Sequence, residues 1–368
     1  MKAFFFTLLI LVTSGLAIHA QGVSANDAGK ICMEGNRLYI VVPLYGFSVY
    51  DITDTRAPKE MRFIELPGIV DIAARGEFIY ANQYEDLVLI KVPLNSKQEV
   101  IEIKRRPNAF PSRIASRPAE PAAFEDFNAF KNNPYAGEAP STSVNGSMSC
   151  VALIGDFIYA VDGHELRTFN AKPTSADLFK STNTIYLPED LLETVWTDGG
   201  TKLYLGSQTG LHIFDNINRA GPKLLGSYRH HLSCDPVVVV GNIAYSTQRD
   251  GRDCAGGVNQ LDIVDISNPS RPYRIKNYPL TNPHGLAVSN DMVMVCDGRD
   301  GLRIFDARNP SSLQEISHTS GIMAYDVLYD DGKKSAFVSI PSQIKIYSLV
   351  QKTNPVLQST IVLPSMSN

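Results

Sequence analysis

Asp71, Glu193, Asp235, His284 and Asp326 are the residues of this chain best placed to do chemistry. Each stands at the same point of a repeated phrase, at the head of a short apolar strand. Ser149-Cys150 occupies that point in a further copy. If the copies close into a ring, four carboxylates and one imidazole surround one opening. Such a ring suits a divalent cation or a cationic ligand, because carboxylate oxygens favour hard cations. Crowded acids also raise one another's pKa and so furnish an acid–base pair. A structural reading stands beside this one: polar residues at strand heads bond the backbone N–H groups of the neighbouring repeat and satisfy donors otherwise left bare. Residue types leave both readings open. A divalent cation is the one cofactor they suggest.

Other chemistry has weaker signatures. Five cysteines occur, at 32, 150, 234, 254 and 296. Cys234 opens a strand and Cys254 sits in the Gly-rich turn 249–257 of the same repeat. A disulfide between them would close a loop worth on the order of 3 kcal/mol. The odd count leaves at least one thiol over, and Cys296 in Met294-Val295-Cys296 reads as a buried small hydrophobe. No C-x-x-C or H-x-x-x-H spacing supports zinc. His230-His231 would point to opposite faces of a strand, so the two rarely reach one ion. No Gly-rich phosphate loop opens a helix, no G-x-S-x-G elbow occurs, and no local motif proposes a Ser-His-Asp triad.

The elements that must position these residues repeat seven times. A short apolar strand runs into a Gly hairpin turn, as in Glu34-Gly35-Asn36 or Val240-Gly241-Asn242. A second strand carries an aromatic residue, as in Leu38-Tyr39 or Leu203-Tyr204. A second Gly turn follows (Tyr45-Gly46, Thr209-Gly210, Asp300-Gly301) and then an amphipathic third strand. The third strands close on Tyr50, Ile90, Phe169, Phe214, Val264, Phe305 and Tyr347, often before Asp. Pro-containing links then lead to an outer strand. Steps of about 40 to 50 residues match one four-stranded blade. The expected fold is all-β, a seven-bladed propeller of four-stranded antiparallel blades, each continuous in sequence. The ring then closes by packing its terminal blades, without strand exchange. The single Trp excludes a propeller with one Trp-Asp pair per blade.

One step, from Ile90 to Phe169, is about twice as long because of an insertion at about 104–146 rich in Pro, Ala, Asn and Ser. It reads either as a surface excursion or as a lid over one channel mouth docked through Phe110, Phe124, Phe127 and Phe130. Residues 1–20 read as a secretory signal peptide: Lys2, a short apolar run over 3–12, and cleavage after Ala20. No later run is apolar and long enough to span a membrane. The 368-residue chain is 44% hydrophobic and 20% charged with net charge −4, which argues against a general nucleic-acid binder.

By the fifth and sixth copies the wording becomes specific. Cys234-Asp235-Pro236-Val237-Val238-Val239, Asn259-Gln260-Leu261-Asp262-Ile263-Val264-Asp265-Ile266-Ser267, Asn282-Pro283-His284-Gly285-Leu286 and Val295-Cys296-Asp297-Gly298 resemble the LVIVD-repeat proteins. The second and third copies depart from that pattern, since Ile90-Lys91 and Phe169-Asn170 lack the closing Asp. The resemblance implies an exported bacterial propeller and carries no reaction. The leading expectation is therefore a non-catalytic binding or scaffolding propeller of the cell envelope, periplasm or medium, monomeric, with a protein or glycan partner. The rival is a metal-dependent hydrolase or lyase at the channel mouth using Asp71, Glu193, Asp235, His284 and Asp326.

Overall fold

Apolar strands of four to seven residues with Gly turns between them cannot bury both faces alone, and stacking as blades solves this. The computed structural model describes residues 30–43, 45–93, 99–112, 144–230, 236–250, 258–289 and 291–363. Among them, 29 strands form seven antiparallel sheets. The blades span residues 31–65, 69–106, 151–186, 192–229, 237–279, 286–319 and 326–362, and each runs in sequence order from its innermost to its outermost strand. The seven-bladed propeller is thus as expected. No described helix is long and apolar enough to cross a membrane.

The seven closing residues mark a shared local event. In every blade the register between third and fourth strands shifts immediately before them, from Val49/Tyr50 through Thr168/Phe169 to Ile346/Tyr347. A bulge there bends the outer strand and increases the twist that a blade needs. The next residue but one donates its N–H to the first hairpin turn: Ile52 to Asn36, Ile266 to Asn242, Ala307 to Asp291. The intervening Asp then caps the outgoing turn. Asp51, Asp265 and Asp306 accept the amides of Thr53, Ser267 and Arg308 at 2.8–3.0 Å. In blade three Asn170 does the same for Lys172. The departure from Asp in that copy therefore preserves the turn chemistry.

Neighbouring blades are joined by the second-strand tyrosines. Tyr39 donates to the Gly76 carbonyl of blade two, Tyr80 to the Ala171 carbonyl of blade three, and Tyr159 to Asn216 and the Arg219 carbonyl of blade four. The ring closes by packing: Ile31, Leu38 and Ile40 of blade one share a buried cluster with Leu328, Phe337 and Ile346 of blade seven. Thr55 and Ser359 add hydrogen bonds across the same seam.

The long interval differs from its expected outline at both ends. The outer strand of blade two is Ile101–Arg106, so residues 104–106 belong to the blade. Phe110 is fully buried between blades two and three, while Phe124, Phe127 and Phe130 lie outside the described residues. The end of the interval enters a sheet. Val144–Asn145 forms a fifth strand on blade one, antiparallel to its innermost strand Ile31–Glu34 on the edge that faces the axis. Residues 1–20, which read as a signal peptide, and the expected pair Cys234–Cys254 lie outside the described residues.

Candidate functional site

Each innermost strand is entered from one face of the propeller, and Asp71, Glu193, His284 and Asp326 stand at or near that entry. The axial strand runs toward the same face and continues as residues 146–150 across the head of the channel. This segment is bonded to most of the blades around it. Gly146 N–H donates to the Ile31 carbonyl of blade one, and Val195 N–H of blade four donates to the Ser149 carbonyl. Ser147 Oγ accepts from Leu286 N–H of blade six at 2.8 Å and donates to Asp326 Oδ1 of blade seven at 3.3 Å. Ser149 Oγ and Cys150 N–H both donate to Asp71 Oδ2 of blade two at 2.7 Å.

Asp71 and Asp326 are thus brought together, as the repeat phase predicts, but around the protein's own chain. Asp71 is 1% exposed; besides Ser149 and Cys150 it holds Lys30 Nζ at 3.2 Å and its own strand's Ile72 N–H at 2.8 Å. Asp326 accepts Val327 N–H at 2.9 Å through Oδ1, while Oδ2 is buried with no hydrogen-bond partner among the described groups. A Cβ on Gly146 would collide with Oδ2, and one on Gly285 with Oδ1. Burial pushes the Asp326 carboxyl up to about 7; the nearby Asp71 carboxylate adds to the rise, while hydrogen bonds and Lys30 oppose it.

The remaining members stand apart from that pair. Glu193 is half-buried at a break in register of blade four, between Leu192 and Thr194. His284 is buried edge-on against Tyr325, with ring centroids 5.1 Å apart, and its Nε2 lies 3.2 Å from Asn282 Nδ2. Burial, helped by Arg249, drives its pKa down to about 4, so the ring is neutral at physiological pH. Asp235 lies outside the described residues. Among the described residues no three His, Cys, Asp or Glu side chains converge as a metal-binding set. Lys30, Gly146 and Ser147 escaped the sequence reading. Nothing in their spacing says that a segment between blades two and three crosses the axis.

In the fifth blade the string Leu261-Asp262-Ile263-Val264-Asp265 forms the third strand. Leu261, Ile263 and Val264 are fully buried between blades, and Asp265 caps the turn. The LVIVD repeat model matches residues 253–279 and 283–319, covering this strand and all of blade six. The chain carries LVIVD repeats. No curated protein matches it. Among solved structures, the periplasmic gluconolactonase of Pseudomonas aeruginosa is similar at TM-score 0.63 and 10% identity, covering 92% of this chain and 98% of that one. A Lactobacillus plantarum protein is similar at TM-score 0.61 and 10% identity, covering 92% and 97%. A functionally unknown protein from Desulfotomaculum acetoxidans follows at TM-score 0.56 and 13% identity, covering 91% and 99%. At such identities the likeness is one of fold.

The second position before each closing residue changes character from blade to blade. It holds Ser48, Val88, Arg167, His212, Asp262, Arg303 and Lys345 in blades one to seven. In LVIVD blade six, Arg303 is surrounded by acids: Asp297 at 2.9 Å, Glu315 at 2.6 Å, and Asp300. In blade five the polarity is reversed. Asp262, fully buried, accepts from Tyr228 at 2.7 Å, Gln248 at 2.6 Å and Gln260 at 2.8 Å, with Arg274 at 3.5 Å. In blade four, His212 lies between Asp190 (3.3 Å from Nε2) and Ser227 (2.8 Å from Nδ1). That line superficially has the order of a Ser-His-Asp relay. Asp190, however, also holds Arg229 at 2.7 Å, and burial drives the imidazole down to about 4 despite Asp190. Neutral His212 donating to Asp190 and accepting from Ser227 satisfies a buried polar group, which is a structural role.

Proposed function

We propose that this protein is an exported, non-catalytic binding or scaffolding propeller of the cell envelope or extracellular space, with a protein or glycan partner. The observation that carries this reading is the segment 146–150 at the head of the channel. Asp71 spends both oxygens on that segment's hydroxyl and amide and on its own strand, and Asp326 is buried beneath the segment with Oδ1 engaged and Oδ2 packed against Gly146, so neither is presented to a substrate. The entry face around them carries varied polar side chains set on rigid strand ends, the arrangement that suits recognition. Export rests on the signal-peptide character of residues 1–20.

The rival is a metal-dependent hydrolase or lyase, and the fold shared with a periplasmic gluconolactonase tells which reaction to try first. Purified protein supplied with Ca²⁺, Mg²⁺ or Zn²⁺ is expected to hydrolyse gluconolactone no faster than buffer with the same ions. Turnover abolished by Asp71→Asn, Glu193→Gln or His284→Gln in folded variants would replace this reading with the rival.

A further inference from the structure

Between blades four and five the entry face opens into a groove of about 660 Å³ lined by Arg229, Arg274, Gln248, Gln260, Asn277 and Tyr228 among others. We propose that this groove is a binding site for an acidic saccharide, its carboxylate held by Arg229 and Arg274. The inference deepens the reading of a binding propeller by naming the class of ligand and the place.

The outer-strand residue opposite the closing position is Glu60, Glu102 and Glu315 in blades one, two and six, but Arg274 in blade five. Its acid, Asp262, has moved inward to the third strand and is fully buried. The cation is left outward: the Arg274 side chain is 45% exposed, tied to Asp262 at 3.5 Å and to the Tyr228 hydroxyl. Arg229 is 51% exposed and anchored through Nη1 alone, to Asp190 and Thr209 at 2.7 Å. Other entry-face arginines are engaged more completely. Arg105 is shared by Asp86 and Glu102, and Arg303 by three acids. Among the described residues, no carboxylate lines the groove.

The rest of the lining is chosen for hydroxyls. Gln260 bridges Gln248 at 3.1 Å and Asp262 at 2.8 Å, and Asn277 donates to Gln260 at 2.8 Å. This holds three planar amides in fixed orientation, and fixed amides suit sugar hydroxyls while arginine forks match carboxylates. The volume admits a ligand of about disaccharide size.

The test is calorimetric titration of the full chain with digalacturonate, with its methyl ester, and with inorganic phosphate. Digalacturonate is expected to bind, and the uncharged ester to bind at least about tenfold more weakly, the size of one lost charge-assisted hydrogen bond. Arg274→Gln is expected to cost about tenfold at an unchanged melting temperature, and Arg274→Lys less. Arg229→Gln is read beside its melting curve, since it leaves Asp190 without its guanidinium. Absence of digalacturonate binding, equal affinity for acid and ester, or indifference to Arg274→Gln would each overturn the site. Phosphate binding as tightly as digalacturonate would overturn the saccharide assignment. Cleavage of digalacturonate would support the site while refuting the non-catalytic reading. A neutral glycan bound equally by wild type and Arg274→Gln would do the reverse.

Discussion

Asp326 concentrates the electrostatic cost of the channel. Its folded pKa, raised by burial to about 7, lies above the ordinary carboxylate value of 3.8. Between those values the folded state holds a proton that the unfolded chain has released. Its contribution is therefore complete below about pH 4 and lost as pH rises through about 7. Asp326→Asn removes the titration at nearly constant shape. The fall in melting temperature between pH 5 and pH 8 is expected to be smaller in the variant than in wild type. A wild-type slope retained in full would show that another group carries it. His212 and His284 have the opposite sign. Held neutral by burial, with pKa values down to about 4 from 6.5, they stabilise fully above about pH 6.5 and lose that contribution as pH falls toward 4.

Within a blade, the most constrained joint is the second Gly turn. A Cβ on Gly210 would run into the Tyr228 carbonyl, and Gly46 and Gly301 meet Ile64 and Thr319 in the same way. The outer strand's backbone passes directly over the turn, and backbone cannot step aside as a side chain can. Gly210→Ala is expected to cost on the order of 2–3 kcal/mol in urea unfolding, the range of overpacking against a fixed neighbour. A loss under about 0.5 kcal/mol, the scale of ordinary surface changes, would mean that the outer strand yields. The turn residues were legible from sequence because Gly recurs there, whereas the reason for Gly, an overlying carbonyl, belongs to the sheet.

At the scale of the whole ring, no strand is exchanged across the closure among the described residues, and side-chain packing at one seam carries it. Phe337 is fully buried in the cluster shared by blades seven and one. Phe337→Ala is expected to destabilise by about 3–5 kcal/mol. Because the two terminal blades meet there, hydrogen exchange should rise in both blades one and seven. Exchange confined to blade seven would indicate that the seam is held elsewhere. The axial segment joins the same system, since it bonds blade one through Gly146 and blades six and seven through Ser147.

The amino-acid sequence by itself determined the blade count, the four consecutive strands of each blade and the positions of the closing residues, though not the fifth strand that blade one takes from residues 144–145. It also determined the phase that puts Asp71 and Asp326 at strand heads. These follow from periodic patterns of apolar, glycine and turn residues, and periodicity is a local property of the chain. Only the tertiary structure decided what surrounds those acids. Ser147 reaches them from a segment outside the repeat, Lys30 and Ser149 from the heads of blades one and three, and Asp262 trades places with Arg274 through pairings between strands. Such contacts depend on which distant segments meet, and no spacing along one chain records that.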